Sequence, residues 1–333
     1  MKVLVTGGTG FVGSHLLDRL TELRDKESKN IEIFATRRYH LSRRDKIEHL
    51  ENLVEWVDCD ITDAVGVNNL VKYVKPDQCY NLASESFVSP SWNHPHRFMD
   101  VNYHGTVNLL ESIKTYAPGC VYLNPGSGEE YGEVSIEDLP INRTTELKPV
   151  NPYAVTKVAQ DLICYVYHKS YNLNTIRLRT FNHEGPRRER YFGIASYAYQ
   201  IARIKQGLQE KVIRVGHIDD KRNFTHVKDI VDAYLIAMEK AIPGKLYVVG
   251  SENEDNVATF REVLNTLIRK SKVSGIEVRE VAEYVRPTNV PYLIGDTSEF
   301  RKETGWIPQI GLDEMLDSIQ SYWDDRVSKH PSM

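Results

Sequence analysis

Cysteine is scarce in this chain: Cys59, Cys79, Cys120 and Cys164 are all it has in 333 residues. They stand too far apart for a Cys-x-x-Cys pair, and most fall within apolar runs, the pattern of reduced, buried thiols and a cytosolic compartment. An excess of positive charge is also missing. The 42 Lys and Arg are mixed with 46 Asp and Glu for a formal net charge of −4. There is no basic field of the kind a phosphate backbone requires, so nucleic acid is excluded as an expected partner. No apolar run approaches membrane-spanning length, and Val3-Leu4-Val5 leads directly to Gly7, leaving no room for a signal-peptide apolar region. A soluble cytoplasmic protein without a membrane partner is expected. His183 has no second histidine or carboxylate at metal-ligand spacing, so no metal is expected. Neither repeats nor low-complexity tracts occur.

What is present is an alternation of short apolar runs with amphipathic stretches. Strands are predicted near 3–6, 31–35, 54–57, 78–82, 121–124 and 176–180, with intervening segments long enough for crossover helices. That alternation implies an α/β fold, a Rossmann-like doubly wound parallel sheet. Around 183–226 the pattern loosens into charged and aromatic residues with a helix near 194–206; helices near 227–240, 259–271 and 312–325 and a strand at 246–249 follow. The expected division is a dinucleotide-binding domain over 1–182, with a return segment at about 227–250, and a smaller mixed C-terminal substrate lobe from 183–226 and 251–330. Trp56, Trp92, Trp306 and Trp323 read as core or subunit interface rather than as stacking platforms.

Gly7-x-x-Gly10-x-x-Gly13 follows the first predicted strand and opens a helix. Glycines there let the backbone turn and approach a pyrophosphate at a positive helix terminus. The second strand ends in Ala35-Thr36-Arg37-Arg38, with no carboxylate for a ribose 2′-hydroxyl but two guanidinium groups for a 2′-phosphate, which favours NADP over NAD. The same basic loop continues to Arg43-Arg44 and also fits a solvated face or a subunit contact. Asp60, after the third strand, stands where an adenine could sit.

Tyr153 and Lys157 share one helix face at i, i+4. The Lys157 ammonium is expected to stabilise a Tyr153 phenolate and draw its pKa from about 10 toward neutrality, making Tyr153 an acid/base for a sugar or alcohol hydroxyl. Ser127-Gly-Glu129-Glu130-Tyr131-Gly132 adds a hydroxyl and a carboxylate; the two glutamates alone also read as loop charges facing water. Parallel sheets present ligands at the carboxyl ends of their strands. In this chain those ends carry, in succession, Gly7, Arg37, Asp60, Ala83 to Ser86, Ser127 with Glu129, and Asn182 with His183.

Further motifs join these: the Arg37-Arg38 loop running to Lys46-Ile47-Glu48-His49-Leu50, Asn151-Pro152 before Tyr153, Phe181-Asn182-His183-Glu184-Gly185-Pro186-Arg187-Arg188, Lys221-Arg222-Asn223-Phe224-Thr225, Arg286-Pro287 and Gly305-Trp306. Over nearly the whole chain they resemble the extended short-chain dehydrogenase/reductases, and within them the branch of GDP-mannose 4,6-dehydratases and GDP-4-keto-6-deoxymannose reductases. The resemblance implies an NADP-dependent nucleotide-sugar 4,6-dehydratase acting on GDP-mannose or a GDP-manno-heptose-like substrate. An NADPH-dependent reductase and a C4 epimerase are the alternatives, and a sensor with the fold but not the chemistry is a third. It gives Ser127 to a sugar hydroxyl, Glu129 to C5 and C6, Tyr153 to the C4 hydroxyl and Lys157 to the nicotinamide ribose.

The cofactor shell implied takes Thr6, Gly7, Gly10, Phe11, Val12 and Gly13 from the first turn, and Arg37, Arg38, Asp60 and Ile61 from the next two strand ends. Leu82, Ala83 and Ser84 follow from the fourth, with Tyr153, Lys157, His183 and Arg188 from later in the chain. Ser86, Glu129, Asn182, Arg222 and Arg286 would hold the substrate, the arginines clamping its diphosphate. Dehydratases usually carry Thr-Ser-Glu where this chain has Ser127-Gly128-Glu129, and the segments at Arg222 and Arg286 sit closer to the reductases. The Arg-rich loop and Pro186-Arg187-Arg188 sit closer to the dehydratases. In those enzymes such a loop reaches a neighbouring subunit, which implies a homodimer or homotetramer.

Overall fold

Val3, Leu4 and Val5 are all fully buried, as a strand covered by helices on both faces requires. The computed structural model describes residues 1–27, 30–39, 41–251 and 253–332. It builds the apolar runs into β1 (Lys2–Thr6), β2 (Glu32–Arg37), β3 (Glu55–Asp58), β4 (Gln78–Asn81), β5 (Val121–Ser127) and β6 (Asn174–Thr180). A late strand, Leu246–Val249, pairs with β6. All neighbours are parallel, in the spatial order Leu246–Val249, β6, β5, β4, β1, β2, β3. The order reverses between β1 and β4, which opens a crevice outside the carboxyl ends of those strands. The doubly wound parallel sheet expected from the apolar alternation is present.

The α-helices among the described residues are α1 (Phe11–Lys26), α2 (Ala64–Val74), α3 (Pro95–Met99), α4 (Gly105–Tyr116), α5 (Pro152–Tyr171), α6 (Gly193–Lys205), α7 (Val227–Lys240), α8 (Phe260–Ser271), α9 (Ser298–Thr304) and α10 (Leu312–Lys329). On one sheet face α1 and α7 bury Leu16, Leu20, Ile230 and Tyr234; on the other α2, α4 and α5 bury Val67, Leu109 and Cys164. A separate core forms where α6, α8 and α10 bring Ile201, Leu264, Leu316 and Trp323 together. Among the described residues three small sheets stand apart from the central one. Val212–Val215 pairs with Glu277–Glu280, Lys221–Asn223 lies between Val257–Thr259 and Tyr292–Leu293, and His183–Glu184 pairs with Thr225–His226.

One element has no counterpart in the sequence pattern. α3 runs through a π-helical turn, Asp100–His104, directly into α4. Such turns are rare and cluster at functional sites, and this one carries the fully buried Asn102. Trp306 is core: its indole donates to the Asp229 carbonyl (3.0 Å), while the Asp229 carboxylate accepts from the N–H groups of Gln309 and Ile310 (3.0 Å each). The four cysteines are free and buried, and burial pushes the Cys59 and Cys79 thiols up to about 12. No helix among the described residues is long and apolar enough to cross a membrane.

Candidate active site

The turn after β1 brings backbone rather than side chains to the crevice. Gly7 has φ +67°, and a Cβ there would lie 2.7 Å from the Ala83 nitrogen; one on Gly13 would lie 2.3 Å from the Gly7 carbonyl oxygen. α1 therefore starts tight under β1. Its N-cap, Gly10, offers no side chain to its first N–H groups, and open donors at a positive helix end suit a pyrophosphate. A dinucleotide fits this cradle. Thr6 works within the protein: its hydroxyl donates to Asn81 Oδ1 (2.8 Å) and accepts from the Ala83 N–H (3.2 Å), tying β1 to β4 at the switch point.

Arg37 and Arg38 differ sharply. Arg37 donates to Asp58 (3.2 Å) and Glu51 (2.9 Å) and lies over the Trp56 ring, so its guanidinium is committed to the protein. The expectation of two arginines on a 2′-phosphate is thereby narrowed to Arg38, which is exposed. Asp60 accepts the Thr62 N–H (3.0 Å) and hydroxyl (2.8 Å) through Oδ1. Ile61 is core, packed against the α-carbon of Gly105, and Ser86 is exposed.

The residues expected to carry the chemistry are placed by β5 and α5. β5 ends at Ser127, and a single 3-10 turn, Gly128–Tyr131, follows. The Ser127 hydroxyl accepts the Glu129 N–H (3.2 Å) and lowers the pKa of the Tyr153 phenol. α5 begins at Asn151, whose Oδ1 caps the Ala154 N–H (2.8 Å) and whose Nδ2 donates to Glu129 Oε2 (3.0 Å). One N-cap thus starts the helix bearing Tyr153 and Lys157 and also aims the half-buried Glu129 carboxylate.

Burial raises the Tyr153 phenol above its usual range; Ser127 and Arg188 pull it down, and the Glu129 and Glu130 carboxylates push it further up. Lys157 donates to the Pro125 carbonyl (2.9 Å) and to Gln160 Oε1 (2.8 Å), and burial lowers its pKa. The expectation that Lys157 draws the phenol toward neutrality is corrected: desolvation dominates, and Arg188 is the leading cation that lowers the Tyr153 phenol.

His183 donates through Nδ1 to the Phe181 carbonyl (3.0 Å) and stacks parallel to Phe11 with centroids 6.0 Å apart. Burial, then Arg188, lowers its pKa to about 4. The Arg188 guanidinium lies over the rings of Phe192 (3.7 Å) and Phe11 (4.8 Å). Arg222 is buried, donates to the Lys221 carbonyl (2.9 Å), and feels the charges of Glu129, Asp220 and the exposed Arg286. The Asn182 carbonyl accepts the Thr225 N–H (2.9 Å). Ser127, Glu129, Tyr153, Arg188 and Arg222 therefore act on one another at one edge of the sheet, while Arg37 and Ile61 belong to the framework.

Asn102 escapes a reading by residue type. Its Oδ1 accepts the Ser84 hydroxyl (2.8 Å) and the Glu85 N–H (2.9 Å), and its Nδ2 donates to Thr156 Oγ1 (2.9 Å). It thereby links the end of β4 to the first turns of α5. The only signal was an asparagine four residues before Thr106 in a helical pattern, which is too common to single out.

The model of the family described as GDP-mannose 4,6 dehydratase matches residues 4–319. The GDP-6-deoxy-D-mannose reductase of Pseudomonas aeruginosa is 31% identical over 326 residues, 98% of each chain. The GDP-mannose 4,6-dehydratase of Yersinia enterocolitica is 30% identical, covering 94% of this chain and 91% of its own length. A solved structure of RMD from Pseudomonas aeruginosa complexed with NADPH superposes with a TM-score of 0.80 at 30% identity, covering 98% of this chain and 99% of that one. With its parallel sheet, glycine turn and Ser127–Tyr153–Lys157 constellation, the chain belongs to the GDP-mannose 4,6-dehydratase family of extended short-chain dehydrogenase/reductases.

Proposed function

We propose that the chain is an NADP-dependent GDP-mannose 4,6-dehydratase, oxidising a hexose at C4, eliminating water across C5 and C6, and reducing C6 with no net redox change. The observation that carries this reading is Glu129, half-buried, held by Asn151 at 3.0 Å and adjoining Ser127. Reduction of a C4 ketone needs a proton donor and a ribose anchor, whereas elimination needs a further acid/base, and Glu129 is placed to be one.

A bound nicotinamide supplies the hydride acceptor and donor; the chain's residues do the rest. Tyr153 takes the C4 hydroxyl proton, with the Ser127 hydroxyl lowering its pKa, and Lys157 anchors the nicotinamide ribose. Once C4 is a ketone the C5 proton is acidic. Glu129 removes it and, protonated, donates to the departing C6 hydroxyl. Asn182 holds the sugar, and Arg222 and Arg286 clamp the diphosphate. Arg38 meets the 2′-phosphate, and the NADPH bound by the Pseudomonas structure supports that preference.

The cytoplasmic location and the division into a cofactor unit (1–182 with 227–250) and a substrate lobe (183–226 and 251–330) belong to the same reading. So does a homodimer or homotetramer, supported by the loop after β2. Tyr39 and Leu41 are 61% and 70% exposed there, while Arg43 and Lys46 are paired with Glu189 of the same chain.

The test is direct. Purified protein with GDP-mannose and catalytic NADP⁺ forms a 4-keto-6-deoxy sugar without accumulating NADPH, and Glu129→Gln stalls with the cofactor reduced. The equal-length match to the Pseudomonas reductase favours one second reading. Stoichiometric NADPH consumption with the keto sugar, and none of the first reaction, selects it.

A further inference from the structure

The last three residues of β5 are gripped by two buried charges. Lys157 Nζ donates to the Pro125 carbonyl (2.9 Å), and Glu130 Oε1 accepts the Ser127 N–H (2.7 Å). Between them, a Cβ on Gly126 would lie 2.4 Å from Glu130 Oε1, so glycine is what lets the carboxylate fold back on the strand. Read as a loop charge, Glu130 would face water; it is instead fully buried. Its other oxygen accepts from Arg179 Nε (2.7 Å), Arg179 donates on to Asp161 (2.7 Å), and Arg177 holds both Asp161 oxygens (2.6 and 2.8 Å). β5–β6 pairing sets Gly126 opposite Arg179, and Asp161 lies one helical turn beyond Lys157 on α5.

Two carboxylates and two guanidiniums balance. Lys157 is then the odd charge, and its own hydrogen-bond partners, a carbonyl and an amide oxygen, are neutral. Resting on the function proposed above, we propose that Glu130 is a positioning residue for this site: it fixes the Ser127 backbone and sets a buried carboxylate against the same strand end that the Lys157 ammonium grips. Buried ion networks are poor devices for stability, since apolar replacements of similar volume are often as stable. A network this costly to bury, one hydrogen bond from Ser127, points to function.

Arg179 faces the pair from β6, with Arg177 behind it on Asp161; Asp161, Tyr153 and the Cys164 thiol face it from α5, and Tyr131 from the turn after β5. His183 also feels Lys157. Burial lowers the pKa of Lys157 and raises that of Glu130, and each charge opposes the shift of the other, so once Glu130 is ionised, removing it lets Lys157 lose its proton at lower pH.

Glu130→Gln keeps an acceptor for the Ser127 N–H and removes the charge. Its kcat is expected to fall about tenfold near pH 8 with KM for GDP-mannose within about twofold, and the alkaline limb of kcat to move down by about half a pH unit or more. The double variant Glu130→Leu with Arg179→Leu removes both charges; it is expected to fold and to remain slow. Wild-type kcat and pH profile in Glu130→Gln, or their recovery in the double variant, overturns the proposal; if the single variant does not fold, the double variant decides. Inactivity of the wild type toward GDP-mannose defeats the proposed reaction and not this inference, which is then read from NADP⁺ binding by fluorescence. Affinity lost at lower pH in Glu130→Gln than in the wild type supports it, and superimposable curves refute it.

Discussion

At the scale of single residues, burial decides protonation more often than partners do. His15, His183 and His226 are each lowered to about 4 by desolvation first. A folded pKa near 4 against an unfolded value near 6.5 means that the unfolded chain takes up the proton first as pH falls. The stabilisation is complete above about 6.5 and drains toward 4, by about 1.4 kcal/mol per pH unit for each histidine. Glu184, raised to about 6 by burial, runs the other way, so the informative quantity is a difference. His226 caps α7 by accepting the Lys228 N–H (3.1 Å), and His226→Asn preserves an acceptor. Urea unfolding of the variant should lose less stability than the wild type between pH 6.5 and 4.5; parallel losses would contradict the assignment. The arginines after β2 give a second test. Arg38→Ala should weaken NADP⁺ binding by about tenfold or more while leaving NAD⁺ binding little changed, and Arg37→Ala should act chiefly on stability. Equal effects on both dinucleotides would remove Arg38 from the 2′-phosphate.

At the scale of elements, the turn between β1 and α1 is the least tolerant piece. Gly13→Ala drives a methyl group into the Gly7 carbonyl, separating helix from strand just where a pyrophosphate would approach. Dinucleotide affinity measured by fluorescence titration should drop at least about tenfold while the far-ultraviolet spectrum stays native; unchanged affinity would dissociate the glycine cradle from cofactor binding. This turn and the strands around it were readable because period and glycine spacing are local signals. Which of two adjacent glutamates turns inward was not. Gly126 and Arg179 decide that for Glu130, and Arg179 lies on a different strand. Likewise the pairing of Arg37 opposite Asp58 across β2 and β3 engages one of two chemically identical neighbours within the protein and leaves Arg38 exposed. The π-helical turn carrying Asn102 left no mark, since its residues suit an ordinary helix.

At the scale of the whole molecule, the candidate site draws residues from both packing units. Ser127, Glu129 and Tyr153 hang from the central sheet and α5. Arg222 comes from the small sheet Lys221–Asn223, and Asp229 and Trp306 pin the C-terminal segment to α7. If one site oxidises, dehydrates and reduces the same hexose, the hydrogen at C4 must return to that hexose. GDP-mannose deuterated at C4 is turned over with unlabelled NADP⁺ and read by mass spectrometry and NMR. Deuterium is expected at C6 of a 4-keto-6-deoxy product, with none accumulating in the cofactor pool. Deuterium lost to NADPH, or no keto sugar formed at all, would contradict that reaction.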